Sequence, residues 1–86
     1  MDEKKQEEFS NAVTELKDIC MEAFENYDES DACLFMGMYC MMHYFMHALN
    51  HMQFTSTGNT DDAAFEWALA MHYYDTAKLC EKLGDR

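Results

Sequence analysis

The sequence predicts an all-α protein, an antiparallel three-helix bundle with a buried central helix, completed by homodimerisation. Three observations carry that prediction. Twenty-nine residues, Ala32 to Thr60, pass without one Asp, Glu, Lys or Arg, and a run that apolar is far too long for an ordinary strand. On either side of it, apolar residues recur at spacings of three and four, the period of an amphipathic helix. No Pro occurs anywhere in the 86 residues, so nothing interrupts a long helix.

The elements follow in order. Phe9, Val13, Leu16, Cys20, Ala23 or Phe24, and Tyr27 form one stripe of a first helix over about residues 4–27. Asp28, Glu29, Ser30 and Asp31 supply a turn, with Ser30 or Asp31 expected to cap the second helix. That helix, over about 31–54, carries the apolar stripe Phe35, Met38, Met42, Phe45, Leu49 and Met52, and almost opposite it Cys40, His43, His47 and His51. Thr55 to Thr60 is turn chemistry. Asn59 or Thr60 is placed to cap a third helix over about 60–83, whose first turn holds Asp61 and Asp62 at the positive dipole end. Its stripe reads Phe65, Leu69, His72, Thr76, Leu79 and Leu83; Gly84 suits the stop, and Lys78, Lys82 and Arg86 suit the negative end.

Short links between long helices favour an up-down-up arrangement. Two neighbours cover only part of the second helix, whereas a helix uncharged all round is expected to be buried all round. A second copy is the simplest cover, since most soluble oligomers are two-fold homodimers.

Composition narrows the function classes. A net charge of -11 with 49% hydrophobic residues, nine Met and twelve aromatics describes a chain too apolar to be disordered and too acidic to bind nucleic acid or an anionic membrane directly. The second helix has the length of a bilayer span. Its second half, however, carries His43, His47, Asn50, His51 and Gln53, and its flanks are acidic instead of basic, so no membrane association is expected. The N-terminal segment Met1 to Glu8 has no apolar core of the signal-peptide kind, so cytoplasmic residence is expected, with the four Cys as reduced thiols. Cys33 and Cys40 fall about 10.5 Å apart along one helix, too far for a bridge.

Two constellations carry chemistry. Cys40, His43, His47 and His51 share a helical face, and with His72 or Asp75 from the third helix they form a candidate zinc or copper set. The bland counterpart is a half-polar helix contact in which the histidines hydrogen-bond. Glu15, Asp18, Glu22, Glu25 and Glu29 alternate at three and four on the first helix. Such a run is ordinarily a solvated face, yet four like-charged pairs cost about 1–2 kcal/mol together.

An enzyme that holds magnesium on Glu15/Asp18 or Glu22/Glu25 would need a second carboxylate pair facing the first, and Glu66 and Asp75 stand singly. No Gly-rich phosphate loop or Cys-x-x-Cys motif is present. The expected function is therefore non-enzymatic and cofactor-free. It is a small acidic protein-binding module or inhibitor whose Glu15, Asp18, Glu22, Glu25 and Glu29 occupy a basic surface of a partner, in the manner of phage inhibitors that imitate nucleic acid. The alternative is a zinc- or copper-binding helical homodimer.

Overall fold

Each helix starts on a short polar side chain that satisfies an otherwise unpaired backbone N–H. The computed structural model of the chain describes residues 2–84 and consists there of three helices, α1 (Glu3–Asn26), α2 (Glu29–Ser56) and α3 (Thr60–Gly84). Arg86, expected at the end of α3, lies outside the described residues. Asp2 accepts from the Lys5 N–H at 2.8 Å, Asp28 from the Asp31 N–H at 2.8 Å, and Asn59 from the Asp62 N–H at 3.4 Å.

The cap of α2 is Asp28, not Ser30 or Asp31. Asp28 is the residue in extended conformation, and capping there sets Glu29 and Asp31 in the first turn, where negative charge meets the positive dipole end. At the other end α2 runs two residues past the expected stop. The hydroxyls of Thr55, Ser56 and Thr57 donate back to the carbonyls of His51, Gln53 and Phe54, so groups read as turn formers satisfy the last helical acceptors. Gly58, with φ of +80°, then reverses the chain, and the Asn59 N–H reaches the Phe54 carbonyl at 2.9 Å.

α3 folds back along α2. Glu66 and Ala63 near its start meet His47 and His51 near the end of α2, and Gly84 at its end lies beside Cys33 near the start of α2. The two helices approach closely along their length, and α1 is held more loosely across them. The cause is side-chain size. On α3 the residues turned to α2 are Ala63, Ala70, Tyr73, Ala77 and Cys80, and on α2 they meet Ala32, Cys33, Met36 and Cys40, all of them buried. Most of these residues are small, Met36 and Tyr73 being the large side chains among them, and this lets the backbones come together. The stripe expected to be the buried face of α3 splits accordingly: Leu69 is buried, Phe65, His72, Thr76 and Leu83 are half-buried, and Leu79 is exposed.

α1 contributes Leu16 and Ala23 to the core, with Ile19 and Cys20 packed against it. At its start Lys5 bonds Asp62 of α3 at 2.8 Å, and Phe9 packs on His72 with ring centroids 5.9 Å apart. Near its end the Tyr27 ring lies 6.1 Å from Phe35.

The burial of α2 corrects the sequence reading most. Its buried face is Ala32, Cys33, Met36 and Cys40, continued by half-buried His43, His47 and His51. The six residues taken as its apolar stripe are all exposed, up to 65% at Leu49 and 70% at Met42. α3 and α1 cover one side of a helix that is apolar on both, and Cys/His on the covered side permits a closer, hydrogen-bonded approach than Met and Phe would.

The small-residue contact gives a direct test. Ala70 is fully buried, so Ala70→Leu overpacks the α2–α3 contact and is expected to lower unfolding free energy by about 1–3 kcal/mol in urea titration. Leu79→Ala, on the exposed edge of the same helix, is expected to stay within about 0.5 kcal/mol of the parent.

Candidate interaction surfaces and the histidine row

Glu15, Asp18, Glu22 and Glu25 stand exposed along α1, and among the described residues none of them makes an ion pair. Glu29 leaves this stripe, because it is the first residue of α2 and lies beyond the break at Tyr27 and Asp28. Two of the lysines pair with other acids: Lys5 with Asp62 and Asp2, and Lys78 with Glu81. Glu15 stands nearest the interior, where its charge acts on Tyr39, His43 and Tyr73.

The row Cys40, His43, His47 and His51 faces α3. The His51 Nδ1–H donates to the Ala63 carbonyl at 2.8 Å, and since a carbonyl only accepts, this fixes the tautomer. The His47 Nδ1–H donates to the Glu66 carboxylate in a pair that is mostly buried on both sides. His43 stacks on Tyr73 with centroids 4.6 Å apart and contacts Tyr39 at 4.5 Å, while its Nδ1 is buried without a hydrogen-bond partner among the described residues. His51 packs against Trp67 at 5.0 Å.

His72, proposed as the ligand from the third helix, instead turns to Phe9 of α1, and Asp75 is exposed. Among the described residues no three His, Cys, Asp or Glu side chains converge on one point. Burial pushes the Cys40 thiol up to about 12, with Cys80 and Cys20 adding to the effect, so the thiolate that a metal or an electrophile needs is strongly disfavoured there.

Glu66 is the functional-looking residue that the sequence reading set aside. Its signal was its register, since it falls between Ala63 and Ala70 at the three-and-four spacing of the small stripe, where a charge has to find a partner across the contact.

The third feature is the bare side of α2. Leu34, Phe35, Met38, Met42, Phe45 and Leu49 are exposed without a charged residue among them. Beside them, on the α2–α3 side away from α1, lies a groove of about 580 Å³ whose walls include Gly37 and Met41 of α2 and Tyr74 and Lys78 of α3. By length and composition α2 could also cross a membrane.

The His43 environment predicts a pH dependence. Burial first, and His47 second, hold His43 below its ordinary value of 6.5, with Glu15 acting in the opposite direction. Unfolded chain then binds more protons than the native state as pH falls through about 6.5, so stability is full above that value and declines below it. Thermal melting is expected at a lower temperature at about pH 5.5 than at about pH 7.5. His43→Phe, which keeps a ring on Tyr73, should flatten that difference.

No protein-family model matches the chain, and no curated protein or solved structure is significantly similar to it.

Proposed function

We propose that this protein is a small acidic protein-binding module, not an enzyme, that occupies a basic surface of a partner protein in the manner of inhibitors that imitate nucleic acid. The observation that supports this most is the α1 face. Glu15, Asp18, Glu22 and Glu25 are exposed, in no ion pair among the described residues, and mutually repulsive, and an arrangement that costs the free protein stability is relieved by a cationic partner. The finer architecture belongs to the same reading: an up-down-up antiparallel bundle whose bare α2 side is covered by a second copy.

Replacing Glu15, Asp18, Glu22 and Glu25 with Gln or Asn removes like-charge pairs, so the free variant is expected to melt at the same or a higher temperature. Its affinity for the partner should fall, and binding by the parent should weaken steeply between low and physiological salt, since opposed charges are screened beyond about 8–10 Å. A neutralised variant that keeps full affinity for the partner would reduce the stripe to a solvated face.

A zinc- or copper-binding homodimer is the second reading. His47 and His51 each give Nδ1 to a protein acceptor, the arrangement that leaves Nε2 free as a ligand. On this reading zinc raises the melting temperature, because a ligand bound only by the native state stabilises it, and His43→Ala/His47→Ala abolishes the rise. An unchanged melting curve on adding zinc or copper would remove it.

A further inference from the structure

We infer that the second copy seats on the bare face of α2 in the antiparallel sense, pairing Phe35 with Met52, Met38 with Leu49 and Met42 with Phe45 across the interface. The inference rests on the reading that a second copy completes the bundle, and adds to it the surface, the register and the direction.

The six residues are spaced three, four, three, four and three, the repeat of a two-helix seam. They and their neighbours Leu34 and Met46 are 43–70% exposed. At on the order of 100 Å² for each such side chain, the face presents about 600–800 Å² per protomer, which is what one partner contributes to a standard interface of about 1,600 Å². It also exceeds the few hundred Å² of contiguous apolar surface that monomers commonly leave bare. A second copy is chosen over a bilayer because the opposite side of α2 is already buried against α3 through His43, His47 and His51. To cross a bilayer the helix would have to leave α3 and break the bonds of His47 and His51, or carry the charged side chains of α3 in with it.

Charge selects the direction. The start of α2 carries Asp28, Glu29 and Asp31, while its end, Gln53 to Asn59, is neutral. Parallel pairing sets the two acidic starts side by side in a chain of net charge -11. Antiparallel pairing sets each beside a neutral end and opposes the helix dipoles favourably. The nearest acids beyond that end are Asp61 and Asp62, and Asp62 is already paired with Lys5.

The register has a consequence for the acidic face. A two-fold axis normal to the plane of the paired α2 helices keeps like flanks together. α1 lies on the flank of α2 that carries Phe35 and Tyr39. Both α1 helices therefore emerge on the same side of the dimer, with their acidic stripes facing one way.

Light scattering at micromolar concentration reads the association, and disulfide trapping reads the direction. The parent is expected to be a dimer, and Met42→Glu/Phe45→Glu a folded monomer, since both positions are exposed in the single chain. Met38→Cys/Leu49→Cys should give a disulfide-linked dimer on mild oxidation. Within one chain these positions lie about 16 Å apart, at 1.5 Å per residue, so that bond has to join two copies. Neither single variant should cross-link to itself, and the parent, with its native thiols largely covered, should not either. A parent that stays monomeric in buffer, including one that associates only with phosphatidylcholine vesicles, overturns the second copy. A dimer in which the Met38→Cys or Leu49→Cys single variant cross-links overturns the antiparallel direction alone.

Discussion

A helix has a full circumference to satisfy, and two neighbours reach only about half of it. α2 carries no charge from Ala32 onward, so whichever side α3 and α1 take, an apolar or weakly polar side is left. Which side is left follows from how close two helices can come. Met, Phe and Leu at the contact would hold the axes toward the upper end of the usual 8–10 Å. Ala32, Cys33 and Cys40 against Ala70, Ala77 and Cys80 allow a tighter approach. Most of the large apolar residues of α2 are then turned outward, while Met36 stays in the contact, and the bare face of α2, the groove beside it and the looser seating of α1 all descend from that choice.

The close contact brings polar side chains inside, and they have to be paired there. His51 finds the Ala63 carbonyl and His47 finds Glu66. These bonds add little net stability beyond the cost of desolvating the groups, but they act on register. Sliding α3 by one residue would orphan both acceptors and would also move the small stripe off the contact. His43 is the member left short, since its Nδ1 is buried with no hydrogen-bond partner among the described residues. Stacking on Tyr73 and a tilted contact with Tyr39 supply its contacts in place of a hydrogen bond.

Helix number, helix type and the position of both turns were legible in the sequence, because charge-free length, three-and-four periodicity and short polar caps are local signals. Ends shifted by one or two residues where capping chemistry had alternatives, as with Asp28 over Ser30 and with hydroxyls that prolong α2. The orientation of α2 was not legible. Phe35 to Met52 and Cys40 to His51 are two uncharged stripes of the same period, and hydrophobicity alone selects the wrong one. What decides is the complementary face of α3, where Ala63, Ala70 and Ala77 recur every seven residues with Glu66 in register. That is a pairwise property, invisible when each helix is read by itself. The acidic run on α1 was legible up to Glu25, and Glu29 was misplaced because its spacing continues across a helix break.

The two surfaces left over respond to salt in opposite directions, and this separates them physically. Association through an uncharged seam must overcome the mutual repulsion of two chains that each carry -11. Screening weakens that repulsion, and sulfate or phosphate additionally strengthens apolar burial. Binding of the α1 stripe to a basic surface is an attraction between unlike charges, which the same ions weaken. On the proposed reading, low salt therefore favours a basic partner over self-association, and high salt favours the reverse. A partner that neutralises the carboxylates of α1 also removes part of the repulsion between copies. On that reading, engagement of one surface would lower the electrostatic cost at the other, and the coupling would be reciprocal, since each event would change the affinity of the other by the same factor.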